Sequence, residues 1–312
     1  MSRIPTDPSR HRLGGPTMGT CWSALFFADP ATDTAPIHAA LAHSVALVDQ
    51  QMSTWKPDSD LMRINAATPG EWVVVPAELF EVLDMGLTIG RLSAGAFDVA
   101  MGDVVTAWGF GANPANAGAI RAMLGQARRP AHQFLEVLPH ARLVRKLAPL
   151  ALDLSGIAKG YAVDLMTAAL QRCGIANGLL GLDGEMRAFG LRPDGTPWTI
   201  AVERPDYETR APLSMLEVSD RAVATSGDYR HWVAVGDQRL SHTMDPARGG
   251  PLTQSPASVT VMAQTCMAAD AWATALMVAG PETGAALARE NGLAALFIHR
   301  DGGQLRQTRI GL

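Results

Sequence analysis

Three short segments carry side chains whose types and spacing suit phosphate or metal chemistry. The first is ALDLSGIAKGYAVDLM, residues 151–166. An apolar run reaches Asp153, passes through Ser155-Gly156 and enters a helical pattern bearing Lys159. Glycine in such a turn permits a tight bend and close approach of a ligand to the main chain. Lys159 could meet a phosphate or a nucleotide edge, and Asp153 could accept hydrogen bonds from a bound base or sugar. The competing reading is a structural turn with a surface lysine. The spacing matches neither a kinase-type phosphate loop nor a dinucleotide-binding fingerprint.

The second segment is TCMAADAWATALMVAG, residues 265–280. Asp270 and Thr274 are four apart, so a helix puts them on one face, amid small apolar residues. A buried carboxylate needs a partner. A carboxylate with a hydroxyl makes a pair of hard oxygen ligands suited to Mg²⁺ or Ca²⁺. Two side-chain oxygens do not complete a metal site, and main-chain carbonyls of the Ser155-Gly156 turn would help to do so. Equally open is an Asp270 that caps a neighbouring backbone, with Thr274 bonded back to its own helix.

The third segment, residues 224–252, reads ATSGDYRHW and then LSHTMDPARGGPL. His242 could shuttle a proton, with Asp228 as a second candidate, and Arg230 or Arg248 could meet phosphate. A polar hairpin with turns at Gly227, Asp245-Pro246 and Gly249-Gly250 explains the same residues. A Ser/His/Asp triad is not supported, because the serines lack a nucleophile-elbow context such as GxSxG. Weaker singly are MGT at 18–20, Trp55 and GAFD at 95–98, where Trp55 or Phe97 could stack on a planar ligand or belong to the core.

The elements that must position these groups read as short strands mixed with helices. Strands are expected over 20–27, 72–75, 142–145, 150–154, 178–182, 198–202, 215–218, 222–225, 231–235, 258–262 and 293–298. Helices are expected from Ile37 onward with Pro36 at its start, from Pro76 to near Gly90, and over 158–173, 266–279 and 282–290. STWKPDSDLMRIN reads as a loop or short irregular helix. Residues 1–17 read as a flexible lead-in, and 18–312 as a single domain. This mixture predicts an α+β fold, with mixed or antiparallel sheets and packed helices in a compact two-lobed unit.

Composition narrows the function. The 312 residues carry 26 Lys and Arg against 30 Asp and Glu, which excludes a broad basic field for nucleic acid. Cys21, Cys173 and Cys266 make neither a disulfide framework nor a zinc cluster. The basic N-terminus lacks an apolar run behind it, and the most apolar later stretch, 271–280, is far below the roughly 20 residues of a membrane span. A cytoplasmic protein without membrane anchor is therefore expected. Thirty glycines and 20 prolines beside only 18% charged residues point to a site lined by turns and backbone, with few ionised side chains.

Taken in order, the segments resemble the ApbE-type FAD:protein FMN transferases. The likeness runs through Met18-Gly19-Thr20, MSTWKPDSDLMRIN, GAFDVAMG, DLSGIAKGYAVD, TSGDYR, SHTMDP and ADAWATALMVAG, from about residue 18 to 300. It implies flavin contacts at Met18, Trp55, Ala96, Phe97, Asp98, Asp153, Lys159 and Met244, with Ala273 near the nucleotide. It also implies a Mg²⁺ site from the Gly156 carbonyl and the Asp270 and Thr274 side chains. The implied reaction splits FAD, places FMN on a threonine or serine hydroxyl of a partner flavoprotein, and releases AMP. FAD hydrolysis to FMN and AMP, or flavin binding without turnover, are the alternatives. The chain departs from the family in two places. Leu182-Asp183-Gly184-Glu185 stands where a Gly-Gly-acid turn is common, and Ser155-Gly156 stands for Gly-Ala or Gly-Gly.

Overall fold

Eight strands lie side by side in the order in which the chain makes them. They are β1 (Ser9–Thr17), β2 (Thr20–Ala28), β3 (Gly178–Leu182), β4 (Glu185–Phe189), β5 (Ala222–Gly227), β6 (Ser258–Ala263), β7 (Ala294–Asp301) and β8 (Gln304–Ile310). Every neighbouring pair is antiparallel. The structure is a computed structural model that describes residues 8–111, 114–124, 128–230, 232–235, 238–253 and 256–312.

Two-residue turns close three of the hairpins. Met18-Gly19 and Gly302-Gly303 have positive φ at both positions, the backbone that matches strand twist in a tight hairpin. In the turn between β3 and β4, Asp183 holds φ +57°, a conformation that glycine adopts freely and a short polar side chain tolerates.

The period-two alternation of strands sorts apolar side chains onto two covered faces. Ala222, Ala224, Ala295 and Phe297 face the helices, while Val223, Leu296 and Ile298 face a two-stranded ribbon, Trp198–Glu203 paired with Pro212–Val218. Cover on both faces explains why SVTVMA in β6 and AALFI in β7 are almost continuously apolar.

Seven helices are described: α1 (Ala35–Met52), α2 (Asp60–Ala66), α3 (Ala77–Leu92), α4 (Gly102–Ala107), α5 (Ala117–Met123), α6 (Ala158–Arg172) and α7 (Cys266–Glu290). In α1, Pro36 stands in the first turn, and Ile37, Leu41, Val45 and Val48 are buried at helical spacing. Helix α7 begins with the Thr265 hydroxyl accepting the Ala268 N–H. It breaks at Gly280-Pro281, where Gly280 has φ +77°, so the run comprises two helices meeting at a sharp kink, as expected over 266–279 and 282–290. One buried cluster runs from Trp22 to Ile310 and joins α1, α3, α6 and α7 to the sheet. Between β2 and β3 the chain also makes a small sheet, with Leu143–Lys146 central between Trp72–Val74 and Leu135–Leu138. No helix among the described residues is long and apolar enough to cross a membrane.

Three expectations are corrected. Residues 9–17 are not a loose lead-in but strand β1, paired along its whole length with β2; residues 1–7 lie outside the described residues. Residues 150–154 form no strand, because their polar groups are taken one at a time by side chains and loops. The chain ends in one strand more than expected, β8, whose charged, exposed side chains suit a sheet edge. Of the expected strand 231–235, Trp232–Val235 is a strand and His231 lies outside the described residues.

Candidate active site

The turn that carries Asp153 is held open by side chains rather than by a ladder. Asn65 acts as a substitute strand neighbour: its Nδ2 donates to the Leu152 carbonyl at 3.0 Å, and its Oδ1 accepts the Leu152 N–H at 2.7 Å. Buried Lys146 donates to the carbonyls of Asn65 (2.7 Å) and Leu150 (3.4 Å), and burial lowers its pKa. The Asp153 N–H is bonded to the Val99 carbonyl, tying this turn to the GAFD loop. Asp153 then accepts the Ser155 N–H at 2.8 Å, while burial pushes its pKa up.

Beyond that turn, α6 starts against α7. A Cβ on Gly160 would strike the Cys266 carbonyl and come within 2.8 Å of the Asp270 Cβ, so only glycine permits this approach. The Gly160 N–H donates to Asp270 Oδ2 at 3.0 Å. Asp270 is buried, and its pKa is pushed up to about 8. Burial is the main cause and the charge of Glu185 adds to it, against the opposing pull of Lys159 and the Gly160 N–H. One turn along, the Thr274 hydroxyl lies 3.1 Å from that of Ser226 on β5. Gly156 sits so close to Thr274 that an added Cβ would be 3.2 Å from its Oγ1.

Lys159 reaches the β3–β4 turn, with its Nζ 3.2 Å from Asp183 Oδ2 and 3.1 Å from Glu185 Oε1. Burial opposes the lysine charge, yet Glu185, Asp270 and Asp183 together outweigh it and raise the pKa well above the ordinary range. Lys159 is thus a fixed cation.

These groups line one cleft of about 370 Å³. Of the residues singled out in the sequence, Ala96, Phe97, Asp98, Asp153, Gly156, Lys159, Arg230, His242, Met244, Asp270 and Thr274 line it. Asp98 accepts the Ala100 and Ala131 N–H groups at 2.9 and 3.1 Å, and burial raises its pKa. His242 packs its ring 6.4 Å from that of Phe110.

Five others do not line the cleft, among them Arg248, which donates to the Thr253 hydroxyl. Asp228 is gripped by Arg300 through both oxygens, at 2.6 and 2.9 Å. Trp55 is 64% exposed on the loop before α2, Met18 sits in the β1–β2 turn, and Ala273 is fully buried inside the core.

The cleft also uses residues that spacing did not reveal. Glu203, on the ribbon, binds Arg230 at 2.6 and 3.0 Å and lies 3.8 Å from Arg210; all three line the cleft. Tyr229 beside them is buried, and its pKa is pushed up to about 12 by burial and by Glu203. Arg230 is a phosphate candidate in the sequence, but its partner Glu203 stands 27 positions away, beyond any helical or hairpin period, and carries no local signal.

Among the described residues no group of three His, Cys, Asp or Glu side chains is arranged to hold a metal. Asp270, Thr274 and the Gly156 carbonyl offer a different set, a carboxylate, a hydroxyl and a main-chain oxygen, which is the hard-oxygen chemistry that Mg²⁺ prefers. A carboxylate buried among other carboxylates is also the kind of group that a cation would relieve. The residues present fit such an ion.

An eight-stranded antiparallel sheet with helices on one face, and a cleft in which buried acids surround Lys159, define an α+β protein with one charged cleft. A sequence profile of the ApbE family matches residues 18–297. The chain is 37% identical over 290 residues to the FAD:protein FMN transferase of Vibrio cholerae serotype O1, covering 92% of this chain and 86% of that protein. It is 33% identical over 296 residues to the FAD:protein FMN transferase of Escherichia coli strain K12, covering 93% and 84%. The crystal structure of Pseudomonas stutzeri flavinyl transferase ApbE, in its apo form, is similar with a TM-score of 0.84 and 33% identity, over 99% of this chain and 96% of that one. The chain belongs to the ApbE family, and it is an enzyme of the transferase class.

Proposed function

We propose that this chain is a magnesium-dependent FAD:protein FMN transferase. It splits the pyrophosphate of FAD, joins FMN through a phosphoester to a threonine or serine hydroxyl of a partner flavoprotein, and releases AMP. The observation that carries this reading is the meeting of Asp270, Thr274, the Gly156 turn and Lys159 in one cleft, although they come from distant segments. The relatives' activity, FAD:protein FMN transfer, supports it.

Asp270, Thr274 and the Gly156 carbonyl would hold the ion. When bound, Mg²⁺ neutralises phosphate charge and polarises the phosphorus–oxygen bond under attack. Lys159 keeps its proton and offers a fixed positive charge to the phosphates. Phe97 and Met244 form apolar wall, while Asp98 and Asp153 supply acceptors for polar groups of the nucleotide. His242 takes the proton of the incoming hydroxyl, or holds a phosphate oxygen. The hydroxyl oxygen bonds to the FMN phosphorus, the bond to the AMP oxygen breaks, and AMP leaves with that electron pair. Most of the remaining rate enhancement comes from alignment. Met18, Trp55 and Ala273 are given no step.

Incubation with FAD, Mg²⁺ and a candidate acceptor, with each component omitted in turn, tests the proposal by intact mass and AMP release. A covalent FMN mass on the acceptor supports transfer. FMN and AMP without modified acceptor would replace it by hydrolysis, and FAD left intact would leave a flavin-binding protein.

A further inference from the structure

Glu185 opens β4 at the back of the cleft and is 3% exposed. Its Oε1 faces Lys159, but its Oε2 is buried with no protein partner. Gln51 Oε1 and Ser258 Oγ are the other side-chain atoms of this kind among the described residues, and neither residue lines the cleft. A buried acceptor without a donor is costly, and more so when it can carry charge, so folded proteins keep few of them. One that borders a ligand cleft is suited to a donor brought by the ligand.

The neighbouring lysine narrows what that donor can be. An ammonium group has three N–H donors, and Asp183 and Glu185 occupy two of those of Lys159. Glu185 Oε2 and Lys159 Nζ therefore present an acceptor beside a donor. A phosphate oxygen meets only the donor and is repelled by Oε2. A hydroxyl, which both donates and accepts, meets both. The Gly160 N–H bond to Asp270 sets this pair close to the oxygen set proposed for the ion, hence close to the phosphates. In FAD the groups near the phosphates are the hydroxyls of the ribityl chain and of the ribose.

We propose that Glu185 is a ligand-anchoring residue whose Oε2 accepts a hydrogen bond from a sugar hydroxyl of the bound flavin nucleotide. This rests on the reading of FAD as substrate. It adds a contact outside the Asp270, Thr274 and Gly156 set.

The test measures affinities of the purified full chain by calorimetry with Mg²⁺, using FAD, FMN, ADP and lumiflavin, a flavin ring without hydroxyls. Glu185→Ala is expected to weaken FAD about 10- to 100-fold and to change lumiflavin by less than about twofold. The same loss for FMN but not ADP assigns the ribityl chain; for ADP but not FMN, the ribose. Glu185→Gln keeps the volume and a neutral acceptor, so a loss of about three- to tenfold in the same probes is expected even if the alanine variant does not fold. Unchanged affinity for FAD, FMN and ADP in a folded variant would overturn the proposal, as would equal losses for lumiflavin and FMN. Acceptor modification by the wild-type chain is followed separately. Wild type that binds FAD through Glu185 without transferring FMN would sink the transfer reading alone, whereas wild type that binds none of the probes would sink both.

Discussion

On the floor of the cleft, one cation, Lys159, faces three carboxylates, and one of their oxygens, Glu185 Oε2, has no protein donor. Toward the outside, Arg300 closes two nitrogens on both oxygens of Asp228, and Arg230 does the same to Glu203. The outer pairs are complete in themselves. They hold the ribbon and the loops after β5 in place, and their charges are spent on each other. The inner group is buried, short of positive charge and short of donors, and under the proposed function a divalent ion with its nucleotide would supply what it lacks. Chemistry is therefore expected where ionised groups are buried but incompletely partnered, and architecture where they are paired.

The sharpest way to break this contrast is to remove the centre of the inner group. Asp270→Ala is expected to lower Mg²⁺-dependent FMN transfer by at least about a hundredfold. The melting temperature should stay within about 5 °C of wild type, because a desolvated carboxylate is lost with the charge. Transfer that persists at limiting Mg²⁺ would remove Asp270 from the ion site.

Next in size is the approach of the two helices that builds the inner group. Gly160→Ala forces a methyl group into the Cys266 carbonyl and the Asp270 side chain, and is expected to destabilise the fold by about 1–3 kcal/mol in urea unfolding. It should also weaken FAD binding, since Asp270 has to move. A variant as stable as wild type would show that α6 and α7 do not meet as described.

A smaller effect is expected at the clamp that shapes the Asp153 turn. Asn65→Ala leaves the Leu152 N–H and carbonyl without their side-chain partner, at about 1–2 kcal/mol. Faster amide exchange at residues 150–153 would report the loosened turn, and unchanged exchange would contradict the clamp.

The least effect belongs to the outer pair. Arg300→Ala and Asp228→Ala should each alter stability by no more than about 1 kcal/mol and leave the transfer rate within about twofold. A rate loss like that of Asp270→Ala, in Asp228→Ala alone, would restore Asp228 as a candidate base and erase the distinction between the two regions.

What the sequence made legible follows the same division. Asp270 and Thr274 share a helix face, and Asp153, Gly156 and Lys159 share one turn, so each set is visible in a window of a few residues. The break within α7 was also legible, as two expected helices, 266–279 and 282–290, that stop and restart at Gly280-Pro281. The Glu203–Arg230 pair joins a ribbon to a loop across 27 positions, and no local period carries it. Residues 150–154 misled because an apolar run reads as a strand, while its real partner, Asn65, stands 87 positions away. Both edge strands were hard to see for a different reason. RHRLGGPT in β1 and QLRQTRI in β8 are charged and lack a clean apolar face, as suits strands that must not recruit others.

The order of the sheet has a consequence in time. The hairpins β1–β2, β3–β4 and β7–β8 close over two residues, whereas pairing β2 with β3 must gather everything from residue 29 to residue 177. Contacts of such long span form slowly, because the loop is closed before the contacts reward it. The Asp153–Lys159 turn lies inside that excursion and Asp270 lies far beyond it, so the cleft exists only after the slowest closure. In refolding, flavin affinity is therefore expected to return after the far-ultraviolet signal of the hairpins. Simultaneous recovery would place the long closure first. A nascent chain of this design forms its hairpins well before it can hold its ligand, and ligand binding marks the end of maturation rather than a step along it.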